Sequence, residues 1–213
     1  MKKLLFAATA AFSLVCANAQ EVKFGAKAGL NLANISGVEE GFDTKMLASF
    51  NIGGFAEIKV SDKFFVQPEL LYSVQGYKTD FSESFSFGGT TTSFNTKSTS
   101  KLNYLNIPVL AKYYVIDKLS LVAGPQFGFL LGVKNSFEST STFAGVTNST
   151  SGSDTDKDGL ATFDLGFNFG AGYDITENIG VEARYNLGLT KINEKGDGSI
   201  KNSVIQVGVN YKF

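Results

Sequence analysis

The sequence predicts an all-β fold, an eight-stranded antiparallel up-and-down transmembrane β-barrel behind a cleavable signal peptide. Three observations carry that expectation. Eight stretches alternate apolar and polar residues with period two, as strands do when one face meets hydrocarbon and the other a polar interior. The connections between them alternate strictly between short and long. After the leader nothing approaches the roughly 18 consecutive apolar residues that a membrane helix requires. A chain without such a helix can cross lipid only as a closed barrel, which leaves no backbone group unpaired.

Residues 1–19 read as a secretory signal peptide: Lys2 and Lys3, an apolar run over 4–15, and the small-x-small site Ala17-Asn18-Ala19. A lipoprotein leader acylated at Cys16 is the weaker reading, because bulky Val15 stands where a small residue is wanted. The barrel domain is then 20–213, with 17 basic and 20 acidic residues once Lys2 and Lys3 are removed. That balance offers no footprint for nucleic acid. Cys16 is the only cysteine of the 213-residue chain, so the mature protein is expected to have neither a disulfide nor thiol chemistry.

The first strand, about 22–33, sets Phe24, Ala26, Ala28, Leu30 and Leu32 against Lys23, Gly25, Lys27, Gly29 and Asn31. After a loop at 34–45, the second sends Phe50, Ile52 and Ile58 outward against Asn51, Glu57 and Lys59, with Phe55 as a misfit on the polar side. Ser61-Asp62-Lys63 turns into the third strand, whose outward set is Phe64, Val66, Pro68, Leu70, Tyr72 and Val74. The stretch 78–101, rich in Ser, Thr, Gly and Phe, reads as a long loop whose base extends the flanking strands.

The fourth strand, 102–116, places Leu105, Ile107 and Val109 outward with Tyr104, Asn106, Leu110, Lys112 and Tyr114 inward. Asp117-Lys118 leads to the fifth, 119–134, where Phe127, Phe129, Leu131 and Val133 are expected outward. A second long polar loop follows at 135–159. The sixth strand, 161–175, alternates Phe163, Leu165, Phe167 and Phe169 with Asp164, Gly166, Asn168 and Gly170. The seventh begins after Thr176-Glu177-Asn178 and opposes Ile179, Val181 and Ala183 to Gly180, Glu182 and Arg184. The eighth, 203–213, ends the chain with Ile205, Val207, Val209, Tyr211 and Phe213 on the apolar face.

Short connections after strands two, four and six, and long ones after the odd strands, place both termini on the periplasmic side of an outer-membrane barrel. Pro68, Pro108 and Pro125 fall inside strands. A closed barrel has no edge to hide a missing N–H, so each is expected at a bulge or kink.

An eight-stranded barrel has an interior that side chains fill. Inward Glu57, Glu69, Asp164 and Glu182 are expected to meet Lys27, Lys59, Lys112, Arg184 and Lys212 in a paired lumen network, since buried charges persist only when compensated. The absence of histidine removes Ser-His and Cys-His catalysis, and no motif isolates a catalytic carboxylate pair; no enzyme activity and no cofactor are expected. Asp154, Asp156 and Asp158 have the D-x-D-x-D-G spacing of a calcium loop, but Leu165 stands where the bidentate Glu belongs. A solvated acidic loop is the default there, with weak calcium binding as its rival.

Asn103-Tyr104-Leu105-Asn106-Ile107-Pro108-Val109-Leu110, Gly124-Pro125-Gln126-Phe127-Gly128 and Phe163-Asp164-Leu165-Gly166-Phe167 resemble recurring strands of the PorT-like family of small outer-membrane β-barrel proteins. The resemblance runs over nearly the whole mature chain and implies an eight-stranded barrel in a Gram-negative outer membrane. Tyr211-Lys212-Phe213 resembles the aromatic-ended signal read by the barrel-assembly machinery, which implies that machinery as a partner during biogenesis and Tyr211 and Phe213 as the signal residues. Some relatives take part in protein secretion.

The function expected is that of an integral outer-membrane barrel with a filled lumen and long external loops, in a structural or surface-interaction role. Outer-membrane lipid is its expected surrounding, and the sequence names no external or secretion partner. A narrow transport channel or a secretion-complex component is the first alternative. A soluble lipocalin-like ligand carrier is the second, disfavoured by the lack of tryptophan.

Overall fold

A computed structural model describes residues 21–38, 43–88, 90–194 and 198–213. The leader 1–19, Cys16 included, lies outside the described residues, as do parts of the connections 34–45 and 191–201. Nine strands are described: β1 (Val22–Ser36), β2 (Thr44–Lys59), β3 (Phe64–Phe87), β4 (Thr90–Ile116), β5 (Leu119–Phe143), β6 (Val146–Asp154), β7 (Phe163–Asp174), β8 (Ile179–Gly188) and β9 (Lys201–Lys212).

Eight of them close into a ring. The order β4-β3-β2-β1-β9-β8-β7-β5 is sealed by pairing between β4 and β5, and every pairing is antiparallel. The first and last strands meet along their length, from Gly25↔Lys212 to Ser36↔Lys201. Phe213 extends that ladder, its N–H donating to the Phe24 carbonyl at 2.9 Å.

The ninth strand, β6, lies outside the ring and comes from a segment expected as loop. β5 runs on to Phe143, turns through Ala144 and Gly145, both at positive φ, and returns as β6. Positive φ at both central residues is the two-residue hairpin turn that matches strand twist. The stretch 78–101 is likewise strand rather than loop, with β3 and β4 paired out to Phe87↔Thr90. Periodicity is hard to read in both because a few Phe are spread among Ser and Thr, and β6 has no Phe at all.

On the ring strands the alternation places Phe24, Leu30, Ile52, Leu70, Leu121, Phe129, Phe169 and Val209 outward and exposed, while Lys27, Asn31, Glu69, Gln126, Asn168, Arg184 and Gln206 are buried inside. Phe55 is inward and buried. It pairs with Gly25, where a Cβ would overlap the Phe55 ring, so the glycine makes room for that ring on the inward face.

Val133 is a correction. The β4–β5 register shifts by one between Asn103↔Gly132 and Tyr104↔Leu130, leaving Leu131 as the extra residue of a β-bulge. Beyond it the phase of β5 reverses. Val133, expected outward, is 4% exposed and points inward, while Lys134 turns out. Lys157 Nζ donates to the bulge carbonyl of Leu131 at 3.3 Å.

The prolines also differ from expectation, since none sits at a register shift. Each drops out of one ladder and keeps the other. Pro68 pairs with Val109 while the β2–β3 ladder skips it, Pro108 pairs with Gln126 while β3–β4 skips it, and Pro125 pairs with Phe167 while β4–β5 skips it. A strand residue donates to one side only, so each proline forgoes one bond, worth about 1 kcal/mol net.

Candidate functional site

The lumen is built in layers. At its centre Glu69 on β3 accepts two hydrogen bonds from Arg184 on β8, at 3.1 and 2.9 Å. It also accepts from Lys27 Nζ at 3.1 and 3.3 Å and from Gln67 at 2.7 Å. Glu182 completes the group, paired with Arg184 at 2.9 Å and with Lys27. Two cations face two carboxylates, the condition under which charge can stay buried.

Toward the end that carries the chain termini, a second balanced set forms. Lys112 donates to Glu57 at 2.5 Å. Lys212 donates to Asp174 at 2.8 Å and to the Tyr114 hydroxyl at 3.1 Å, and lies 3.6 Å from Glu57. Tyr114 in turn donates to Asp174 at 2.7 Å, and its ring lies under the Lys112 ammonium, 4.9 Å from the centroid. Lys59 is not in this set; it pairs with Asp62 at the rim, 3.2 Å away.

Above the central charges comes an amide layer. Asn31 Oδ1 accepts from Asn51 at 2.6 Å and from Gln206 at 3.1 Å, while Asn168 donates to Gln126 at 3.1 Å. Asp164 lies higher still and joins neither charge network. It accepts from Thr190 at 3.0 Å and Asn202 at 2.8 Å and has no cationic partner among the described residues.

An apolar cap closes the top. Ile35, Leu102, Tyr104, Leu130, Val133 and Ile192 form one buried cluster, with Leu160 packed against it. Ile192 comes from the β8–β9 connection and is held over the lumen by its bonds to Ala161 and Ile200, each 2.8 Å. The sequence reading missed this cap. Its members are scattered over five segments, and Val133 faces inward only because of the bulge.

Beyond the barrel, the outer parts of β3, β4 and β5 join β6 in a four-stranded sheet. The three long strands have 24, 27 and 25 residues, more than twice the roughly 10 that a tilted spanning strand needs. Register assigns its faces. Phe81, Phe85, Phe94, Phe137, Phe143 and Val146 share the face continuous with the lumen, while Ser82, Asn95, Lys97, Glu138, Thr140 and Ser149 share the other. The barrel wall is greasy outside and polar inside; this sheet reverses that, as expected where water replaces lipid around the wall.

Asp154 and Asp156 use their carboxylates locally, accepting the backbone N–H of Asp156 at 3.1 Å and of Asp158 at 2.9 Å. Among the described residues no group of three or more His, Cys, Asp or Glu is placed to hold a metal ion. Tyr211 and Phe213 lie on the outer wall with ring centroids 5.7 Å apart.

Comparison with protein-family models agrees with this architecture. The family model for the outer membrane protein beta-barrel domain matches residues 18–194. No curated protein matches the chain. Among solved structures it is similar to Ail, the attachment invasion locus protein of Yersinia pestis, with 14% identity over 91% of this chain and 99% of that one, TM-score 0.45. Neisserial surface protein A shares 15% identity over 92% and 100%, TM-score 0.43. A major outer membrane protein from Thermus thermophilus shares 15% over 91% and 100%, TM-score 0.40.

Proposed function

Since this chain belongs to the outer membrane protein beta-barrel domain family, we propose that it serves as a sealed outer-membrane scaffold that holds its four-stranded sheet toward the exterior. It is a multi-pass barrel of the outer membrane. By the rule that short turns face the periplasm and long connections the outside, both termini are periplasmic and the sheet is external.

One observation carries the reading: the lumen is filled by two charge-balanced networks, an amide layer and an apolar cap. Conduction would require the Glu69 network to break and the Ile192 cap to lift. A carrier of the lipocalin kind would need an apolar interior, the opposite arrangement. The external sheet, not the lumen, is where partners would be met.

Within the broader family, the strand motifs around Pro108 and Pro125 support a PorT-like membership, and the aromatic end at Phe213 supports handling by the barrel-assembly machinery. The reading has no catalytic step and no cofactor. The Asp154, Asp156 and Asp158 turn is assigned a structural role, the carboxylates of Asp154 and Asp156 being engaged by backbone N–H groups.

Planar-bilayer recording tests the proposal. Folded protein is expected to insert and stay electrically silent. Steady single-channel steps from purified protein would refute the sealed lumen and favour transport.

A further inference from the structure

The outer wall carries a lysine cluster at the height where its greasy surface ends. Below Lys134 on β5 lie Leu131, Phe129 and Phe127, all exposed outward; above it stands Ser136. On β3, Lys78 tops a run containing Leu70 and Tyr72. Lys134 reaches this wall only through the Leu131 bulge, which brings it directly opposite Lys101.

Like charges facing each other across strands destabilise a sheet. The neighbouring lysines have compensation: Lys45 pairs with Asp80 at 2.5 Å, and Lys97 stands in register with both Asp80 and Glu138. Lys78, Lys101 and Lys134 make no ion pair among the described residues, although the Lys78 charge also acts on Asp80. Lys78 pairs in register with Thr99, two residues from Lys101 on β4, so the three form one contiguous patch. A groove of about 720 Å³ with Lys78 in its wall opens on the same face.

We infer that Lys78, Lys101 and Lys134 bind the phosphate groups of anionic lipid headgroups in the outer leaflet. Position identifies the occupant: an outward side chain immediately above the hydrocarbon belt meets headgroups, and long lysine stems reach that layer readily. Each lysine near an anionic surface contributes about fivefold in affinity, so three together give on the order of a hundredfold. The inference rests on the outer-membrane placement but not on a sealed lumen.

The test uses the mature protein in detergent micelles doped with phosphatidylglycerol or phosphatidylcholine, with retained lipid counted by native mass spectrometry. Wild type is expected to hold phosphatidylglycerol at least tenfold in preference to phosphatidylcholine. The triple variant Lys78→Gln, Lys101→Gln, Lys134→Gln should lose that preference while keeping its heat-modifiable migration, and Lys63→Gln with Lys118→Gln at the opposite end should retain it. Inorganic phosphate at millimolar concentration should not displace the lipid. Equal retention by wild type and the triple variant, no preference in wild type, or full displacement by free phosphate would each overturn the inference. A variant that fails to fold is replaced by Lys134→Gln alone, for which a several-fold loss is expected and an unchanged preference counts against the inference.

Discussion

Arg184 and Glu69 join strands that are not neighbours in the ring. Their two parallel hydrogen bonds, 3.1 and 2.9 Å, tie β8 to β3 across the lumen, with β2, β1 and β9 between them along the wall. The pair therefore spans the barrel's width, and paired N–H···O bonds of this kind fix geometry as well as charge.

Removing one partner strands the other. Glu69→Ala leaves Arg184 and Lys27 buried with only Glu182 to balance them, and is expected to cost about 3–5 kcal/mol. The double variant Glu69→Met, Arg184→Met should recover most of that loss, because it removes charges of both signs. Urea unfolding followed by tyrosine fluorescence or by gel mobility measures both; a Glu69→Ala protein as stable as wild type would contradict the network's role.

Gly25 and Phe55 form a second coupled pair. Gly25→Ala drives a methyl into the Phe55 ring and is expected to cost about 1–3 kcal/mol, the range for overpacked cores. Phe55→Leu removes the overlapping ring atoms. A double-mutant cycle should therefore give a favourable coupling of roughly 1 kcal/mol or more, and strict additivity would exclude the contact.

The reversal of faces at the membrane border predicts opposite responses to one substitution. Phe167→Arg or Val181→Arg on the lipid face near mid-barrel should cost about 2–4 kcal/mol and impair insertion. Phe94→Arg on the external sheet should leave insertion at the wild-type level. Insertion yields into lipid vesicles, read by heat-modifiable migration, separate the two cases.

Asp80 gives a pH signature outside the membrane. The hydrogen bond from Lys45 Nζ holds its carboxyl below the usual carboxylate range, with the charges of Lys45, Lys97 and Lys78 acting the same way. A depressed value in the folded state means that the bond's contribution is full above the ordinary value of about 3.9 and fades as pH falls through the lowered one. Carboxyl-carbon NMR titration should place the Asp80 midpoint below that ordinary value, and Lys45→Gln should move it upward.

Much of this molecule was legible before its coordinates because lipid imposes a simple rule on each spanning strand. Phe163 to Phe169 and Ile205 to Phe213 show their faces through alternation alone, and the turns at Asp117-Lys118 and Thr176-Glu177-Asn178 mark the hairpins. What alternation could not reveal was anything that changed phase or medium. Leu131 looks like one more outward apolar residue, yet as a bulge it exchanges the roles of Val133 and Lys134. Above the membrane, Phe94 and Phe137 alternate with Ser and Thr against the sign expected in lipid, so their segments read as loop. Alternation puts Glu69, Lys27 and Arg184 on the inward faces of their strands, but which cation meets which carboxylate depends on stagger between distant strands, and Asp164 stands apart from both networks for that reason.

The central claim, an apolar outer wall that ends where β5 bulges, is tested most directly by scanning that strand with single cysteines. Cys16 is the only cysteine of the chain, so in a Cys16→Ser background nitroxide labels at 127, 129, 131, 133, 134 and 136 report one site each in a lipid bilayer. Labels at 127, 129 and 131 should be quenched by oxygen dissolved in the hydrocarbon, those at 134 and 136 by a water-soluble nickel complex, and the label at 133 should be shielded from both. Unbroken alternation through 133 and 134, or nickel access at 127 and 129, would contradict the account.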